Sequence, residues 1–393
     1  MPSIIDEARE IEDELIETRR KLHENPELSY HEEETSYLIS SKLRSLGIKH
    51  KTGVGGYGVV GLIEGREKGP CIGLRADMDA LPLEELADIP FRSRKSGIMH
   101  ACGHDTHVAM LLGAAALIMR HRDHLKGTVK LIFQPAEEHG GLGGAEPMIR
   151  AGTMENPKVD YVFGLHISSQ YPSGTIALRP GPIMAAPDSF RIRIIGKGGH
   201  GSSPHETIDP LYTAAELVSA LYGIRSRMID PVEPFALSVC SFHSGTKDNI
   251  IPDDALLEGT VRTFDRITRR RAKSLVEHIS KSVCTSTGAK CEVKFIENAY
   301  PVTENDPSAT RRAEAILREL KGIRVVEARQ IMGGEDFSRF LQRAPGTFYF
   351  LGTGNRKKGC VYPNHSSMFK VDEAVLKLGT ASLAQIAMTF GSG

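Results

Sequence analysis

Apolar residues recur at helical spacing over residues 3–24, which predicts an amphipathic helix at the start of the chain. The apolar positions are Ile4, Ala8, Ile11, Leu15 and Leu22. Ser3 is a suitable amino-terminal cap, and Pro26 lies just beyond the predicted end.

Further along, short apolar runs alternate with helical patterns. Residues 71–76, 129–133 and 161–165 read as buried strands, and residues 108–120 read as a long helix. Such alternation is typical of an α/β sheet with helices on its faces. Polar clusters follow directly after the strands, where α/β sheets bind their ligands.

A glycine-rich segment, residues 53–58, matches the G-x-G-x-x-G pattern of dinucleotide sites, and Asp77 lies about 20 residues further on. That fingerprint needs a helix after the glycines, whereas residues 59–63 favour a strand. We therefore expect a glycine-rich hairpin, with dinucleotide binding as the minor alternative.

The middle of the chain has a different pattern. The Pro-, Gly- and Ser-rich stretch 171–187 indicates a boundary, and the elements that follow predict a β-α-β-β-α-β unit. Its strands are expected near 190–195, 235–241, 255–264 and 291–295, and its helices near 210–222 and 269–283. We therefore predict an α+β domain (187–300) inserted into a larger α/β domain (1–186 and 301–393).

Length and charge narrow the class of protein. With 393 residues, two domains are expected, and 49 basic residues balance 49 acidic ones. A neutral chain argues against a nucleic-acid or anionic-membrane partner. There is no apolar run of membrane-spanning length and no signal-peptide pattern, and the six cysteines lack CxxC pairs. These features favour a reducing cytoplasm.

The densest group of chemically active side chains lies just before the helix of residues 108–120. It contains His100, Cys102, His104, Asp105 and His107. Imidazole nitrogen and thiolate sulfur are ligands that zinc prefers. The cluster therefore predicts a metal site, the alternative being a buried cysteine among surface histidines.

Two acidic pairs also follow predicted strands. Glu137 and Glu138 could be a solvated surface pair, but their position suggests one metal ligand beside one general base. Asp77 and Asp79 could orient a histidine ligand. His166 also ends a strand, where a structural role is the commoner alternative.

The chain has no G-x-S-x-G and no H-E-x-x-H, so serine-hydrolase and thermolysin-like mechanisms have no support. The glycine-rich loop 196–203 lacks phosphate-loop spacing and reads as a hairpin loop. His365, near the end of the chain, is uninformative by itself.

Taken in order, eight motifs resemble the aminoacylase/carboxypeptidase metallopeptidase family, in the branch of indoleacetyl-amino-acid hydrolases, hippurate hydrolases and thermostable microbial carboxypeptidases. They span nearly the whole chain: GLRADMDALP (73–82), MHACGHD (99–105), QPAEE (134–138), GLH (164–166), GKGGHGSSPH (196–205), NIIP (249–252), GGEDF (333–337) and NHS (364–366). The resemblance implies a zinc-exopeptidase-like catalytic domain with a mixed central sheet, and an inserted ferredoxin-like dimerisation or lid domain.

The resemblance also implies roles for individual residues. Two divalent ions, zinc first with cobalt or manganese as alternatives, would be held by Cys102 as the bridging ligand and by His104, Glu138, His166 and His365. Glu137 would be the general base, Asp79 would orient the site, and His200 would reach the substrate carbonyl from a partner subunit. The substrate would be held by Asn249, Arg262, Gly333 and Gly334. Asp77 stands where other branches have a histidine ligand, so its role stays open.

The implied reaction is hydrolysis of an amide bond next to a free carboxylate, through a hydroxide held by the two ions. The expected partners are a small acylated amino acid or peptide and a second copy of the chain, in a homodimer that could extend to a tetramer. A desuccinylase or carbamoyl-amino-acid hydrolase on the same scaffold is an alternative, and a non-catalytic metal-binding protein is an alternative of another class.

Overall fold

The computed structural model describes residues 3–296 and 300–391. The chain divides into two compact units, each with its own apolar core. The first comprises Met1–Ile183, Thr303–Arg329 and Asp336–Gly393, and the second comprises Met184–Val302 and Gln330–Glu335. The predicted inserted domain, 187–300, includes residues 297–299, which lie outside the described residues, and its boundaries stay a prediction.

Most helices of the first unit contribute apolar residues to its main core. The helices of this unit are α1 (Ile4–Glu10), α2 (Glu12–Glu24), α3 (Glu33–Ser45), α4 (His104–Arg120), α5 (Ala145–Arg150), α8 (Pro307–Arg318), α9 (Ser338–Leu341) and α10 (Leu376–Phe390). The second unit contains α6 (Pro210–Arg227) and α7 (Arg266–Ser286).

The strands of the larger sheet are β1 (Lys49–Val54), β2 (Gly58–Glu64), β3 (Glu67–Asp77), β4 (Lys126–Gln134), β5 (Tyr161–Pro172), β6 (Thr175–Leu178), β15 (Arg324–Glu327) and β16 (Gly346–Gly354). The remaining strands are β7 (Gly181–Met184), β8 (Ala186–Ile195), β9 (Gly199–His200), β10 (Phe235–Ser244), β11 (Ile250–Ile251), β12 (Asp254–Thr263), β13 (Lys290–Phe295) and β14 (Thr303–Asn305).

The larger sheet is mixed, as predicted, with the order β1-β2-β4-β3-β5-β16-β6-β15. Strands β4, β3, β5 and β16 run parallel to one another, and β1 and β2 add an antiparallel edge. The buried carboxyl half of β3 explains why residues 71–76 read as a continuous apolar run. The carboxyl ends of β3 and β4 lie side by side, since Asp77 is opposite Gln134.

One sequence prediction needs correction. The predicted helix 3–24 is two helices, because the chain turns at Ile11, whose N–H bonds to the Arg9 carbonyl. This turn lets α1 pack on α10 while α2 packs on α4. The stretch 171–187, predicted as a boundary, contains β6 and β7, and the two units divide within it, at Ile183 and Met184. The glycine-rich segment 53–58 joins β1 to β2, so the hairpin prediction is confirmed.

The second unit has a sheet in the order β10-β12-β8-β13, and its described pairings are antiparallel. Along the chain, the strands of this sheet and the two helices follow in the order β8-α6-β10-β12-α7-β13, which is the β-α-β-β-α-β order of a ferredoxin-like fold. Both helices pack on the sheet, and Asp209 and Asp265 cap their amino termini. In the part of the chain that the structure describes, no helix combines the length and apolarity needed to cross a membrane.

Candidate metal centre and active site

The predicted metal ligands of the first unit converge near the carboxyl ends of β3 and β4 and the middle of β5, which continues to Pro172, past the strand end predicted at His166. Ligand atoms of Cys102, His104 and Glu138 all lie within 4.8 Å of one another. Cys102 Sγ lies 3.3 Å from His166 Nε2, and His365 Nε2 lies 3.1 Å from Glu138 Oε1. Five residues from four separate segments of the chain therefore form one cluster.

Local backbone conformation places the thiol and the first histidine. Gly103 has φ +88° and caps α4, and a Cβ there would lie 2.3 Å from Ile167 Cδ1. Only glycine fits this turn, which puts Cys102 just before the helix and His104 in its first turn. His365 also has positive φ, +68°, and its N–H donates to the Ala101 carbonyl at 2.8 Å.

Asp79 orients His104 and the strand end that carries the acidic pair. His104 Nδ1 lies 2.9 Å from the Asp79 carbonyl oxygen and 3.2 Å from Oδ1. Oδ2 of Asp79 accepts from Ser29 Oγ at 2.6 Å and from the Glu138 N–H at 3.0 Å. His104 Nε2 is buried and has no hydrogen-bond partner among the described residues, so it is directed into the cluster.

The electrostatics of the cluster favour a cation. Burial raises the pKa of the Cys102 thiol well above its usual range, and the carboxylates of Glu138 and Glu137 raise it further. Burial opposes a charge on His104, but Asp77 and Asp79 outweigh it and raise its pKa to about 10. Excess negative charge in a buried site, together with sulfur, nitrogen and oxygen donors, suits a divalent ion such as zinc.

The neighbouring acid, Glu137, is buried and follows Ala136, which has φ +55°. The Ala136 N–H donates to Glu32 Oε1 at 2.8 Å. A left-handed alanine is strained, and here a buried carboxylate stabilises it. The turn lets two adjacent acids occupy different surroundings, which the sequence could only suggest.

The other predicted site residues belong to the second unit. His200 is exposed, and its Nδ1 accepts from Ser202 Oγ at 2.8 Å. It lies on β9 opposite Ile250, and the Asn249 carbonyl accepts the N–H of Gly201 at 2.9 Å. The structure therefore brings His200 and Asn249 to adjacent strands.

Arg262 lies on β12 opposite Pro187, and a Cβ on Gly334 would lie 2.6 Å from the same proline. A Cβ on Gly333 would lie 3.3 Å from Met184 Cε. The nearby carboxylate of Asp188 is paired with Arg269 and Lys273, and no described carboxylate lies within ion-pair distance of Arg262.

Three residues around the site were not predicted as part of it. Glu32, Arg75 and Asp336 are buried and hydrogen bonded beside the cluster. Arg75 and Asp336 lie inside the motifs 73–82 and 333–337, so a signal existed for both. Glu32 stands in the acidic run 32–34 and gives no such signal.

The fold and this cluster define a two-unit hydrolase with a metal-binding centre. Residues 73–389 match the model of Peptidase family M20/M25/M40. The chain is 57% identical to thermostable carboxypeptidase 2 of Saccharolobus solfataricus over 98% of both proteins. It is 38% identical to IAA-amino acid hydrolase ILR1-like 4 of Arabidopsis thaliana over 96% of this chain and 86% of that protein. It also superposes, with a TM-score of 0.85 and 36% identity over 98% and 99% of the chains, on the Bacillus subtilis YXEP protein, a dinuclear metal-binding peptidase of the M20 family.

This protein belongs to peptidase family M20/M25/M40. The resemblance stated from the motifs is confirmed, and so are the predicted fold class and the prediction that the chain is a hydrolase.

Proposed function

We propose that the protein hydrolyses the amide bond next to a free carboxylate, as a carboxypeptidase or an N-acyl-amino-acid amidohydrolase. The observation that carries this proposal is the cluster of Cys102, His104 and Glu138, with buried Glu137 beside it. The relatives support the substrate class, since one is a carboxypeptidase and another is a hydrolase of an acylated amino acid.

We assign two divalent ions to the cluster, with zinc first and cobalt or manganese as substitutes. Cys102 would bridge them, because its sulfur lies 3.3 Å from His166 Nε2 and within 4.8 Å of ligand atoms of His104 and Glu138. His365 would complete the set beside Glu138. When bound, the ions would lower the pKa of a water and polarise the amide carbonyl.

The chain's own side chains would move the proton and hold the substrate. Glu137 would take the proton of the attacking water and return it to the leaving amine. Arg262, whose planar fork has no carboxylate partner in the described residues, would bind the substrate carboxylate with Asn249. The backbone N–H groups of Gly333 and Gly334 would line the substrate.

The adjacent acids provide a matched pair of variants. Glu137→Gln should keep the bound metal and lose two to four orders of magnitude in turnover, roughly the contribution of a general base. Glu138→Gln should instead lower the metal content, because it removes a ligand. Metal content by atomic emission and turnover of an N-acylated amino acid measure both effects. Equal, mild effects of both substitutions would show that neither acid is a metal ligand or a general base.

Chelation tests the metal requirement directly. Protein treated with a chelator should be inactive, and zinc, or cobalt or manganese in its place, should restore turnover. Magnesium should not, because sulfur and nitrogen ligands do not suit it. Full activity in metal-free protein would refute the proposal.

We further propose that a second copy of the chain completes each site with His200 and that the subunits meet through the inserted domain. Strand β10 is at the edge of its sheet and has β12 as its one described partner, so it offers free backbone groups for pairing. Phe242 on this strand is 41% exposed, and Tyr212 on α6 is 56% exposed. A twofold dimer is the commonest arrangement for such an interface.

Mixing inactive variants tests the exchange. Glu137→Ala and His200→Ala homodimers should each be inactive, whereas mixed dimers should contain one complete site. Random exchange makes half of the dimers mixed, so roughly a quarter of wild-type activity should return. A mixture that stays inactive after exchange, verified by native mass spectrometry, would assign His200 to its own subunit.

A further inference from the structure

A buried ionic network lies behind the metal-ligand cluster and occupies both oxygens of Asp77. Asp77 Oδ2 accepts from Arg75 Nη1, and Oδ1 meets His107 Nδ1. Arg75 also donates to Asp336 Oδ1 at 3.0 Å and to Gln134 Oε1 at 2.9 Å. Asp77 and Arg75 are at most 1% exposed, so both oxygens of Asp77 are engaged with buried partners.

The contact with His107 continues from Asp77 to strand β5. The N–H of Ile167 donates to His107 Nε2 at 2.9 Å. Since Nε2 accepts this hydrogen bond, the ring proton is on Nδ1 and is donated to Asp77.

Both backbone polar groups of Ile167, the residue after His166, are thereby engaged. The Ile167 N–H bonds to His107, and the Ile167 carbonyl oxygen lies 2.7 Å from His166 Nδ1. With Nδ1 used in this way, His166 presents Nε2 toward Cys102 Sγ, 3.3 Å away. The rings of His107 and His166 also pack edge to face, with centroids 4.6 Å apart.

We propose that Asp77 and His107 are positioning residues for His166, and that the contacts from Arg75 through Asp77 and His107 to the Ile167 N–H set the affinity of the ion on the His166 side. The inference rests on the proposed function, in which His166 is a metal ligand. It gives Asp77 a role other than coordination.

The first test is metal affinity, measured by competition with a coloured zinc chelator. Wild-type protein should bind two zinc ions per subunit. Asp77→Asn keeps the size of the side chain and removes its charge, and His107→Gln keeps an acceptor for the Ile167 N–H but loses the bond to Asp77. Each variant should bind one of the two ions 10- to 100-fold more weakly, the range typical of residues that orient a ligand, and the other ion normally.

His121→Gln is the matched control. His121 follows the last residue of α4, the helix that contains His107, and its Nε2 lies 2.8 Å from a Glu7 carboxylate oxygen. The substitution removes the same kind of pair at the far end of the helix, about 20 Å from His107. Both zinc affinities should stay at the wild-type value. Circular dichroism and thermal melting verify that each variant is folded.

The visible absorption of bound cobalt distinguishes a change at one metal site from a general loss of stability. Cobalt(II) absorbs visibly when bound to sulfur and nitrogen ligands, and the absorption depends on ligand geometry. Asp77→Asn and His107→Gln should change the spectrum of the second cobalt equivalent and leave that of the first unchanged.

The outcomes separate the two proposals. Wild-type affinities and spectra in both folded variants would overturn the positioning role and leave the proposed function intact. Equal weakening of both ions would overturn the assignment to His166. If Asp77→Asn does not fold, the same comparison is made with His107→Gln alone. Wild-type protein that binds no zinc would overturn the inference and the proposed function together.

Discussion

Replacing Glu32 with glutamine should change how the stability of the first unit depends on pH. The Glu32 carboxylate is fully buried, with Oε1 bonded to the Ala136 N–H and Oε2 without a hydrogen-bond partner among the described residues. Burial, together with the nearby charge of Asp79, raises the pKa of this carboxyl from 4.5 to about 7.

The magnitude follows from this pKa. The folded state binds the Glu32 proton more tightly than the unfolded state does, so this contribution to stability is fully present below about pH 4.5. It is lost as pH rises to about 7 and is constant above that. A rise from 4.5 to about 7 corresponds to about 3 kcal/mol. Glutamine does not titrate, so the stability of Glu32→Gln relative to wild type should increase by about 3 kcal/mol across this range.

Urea unfolding at several pH values from 4.5 to 8 measures the difference. Circular dichroism is the suitable signal, because the chain has no tryptophan. A chelator in every sample keeps the charge of a bound ion out of the comparison. Glu33→Gln is the matched control, since Glu33 is exposed in the same segment and solvent screens its charge. A difference between Glu32→Gln and wild type that stays constant with pH would show that the buried carboxyl is not protonated in the folded state.

Two further variants test how the substrate carboxylate is bound and how strongly a buried carboxylate near the site stabilises the protein. Arg262→Ala should weaken kcat/KM roughly 10- to 150-fold for substrates with a free carboxylate and much less for their amides, since a charge-assisted hydrogen bond is worth about 1.5–3 kcal/mol. Arg193→Ala, which removes an exposed ion pair on β8, should have little effect on kcat/KM for either kind of substrate. If Arg262→Ala leaves the preference for a free carboxylate over an amide unchanged, another residue binds the substrate carboxylate. Asp105→Asn should destabilise chelated protein by about 3–5 kcal/mol, because Arg19 and His23 are buried against this carboxylate; calorimetry that finds less than about 1 kcal/mol would contradict this.

The sequence alone determined the elements and the chemistry of the centre. Buried parallel strands read as apolar runs, and β-α-β-β-α-β order follows from local periodicity, so both could be predicted. The cluster around Cys102 and His104 is dense enough in metal-ligand side chains to be noticed without a structure. The same locality caused the error at residues 3–24, since the turn at Ile11 depends on how α1 and α2 pack on distant helices.

Only the tertiary structure decided which polar residues are buried together. Glu32 stands beside Glu33 and Glu34, and in sequence the three look like one solvated acidic run. The fold buries the first and leaves the other two exposed. Whether a carboxylate meets solvent or an N–H group 104 positions away depends on how segments pack, and this also decides its pKa.

The partners of the Asp77 carboxylate were likewise decided by the tertiary structure. Its position after a strand suggested a place near the centre, but its partners, Arg75 and His107, are visible only after β3 and α4 come together. Residue type and spacing determine which groups could bind a metal. Three-dimensional packing decides which of them converge on one site and which partners their atoms have there.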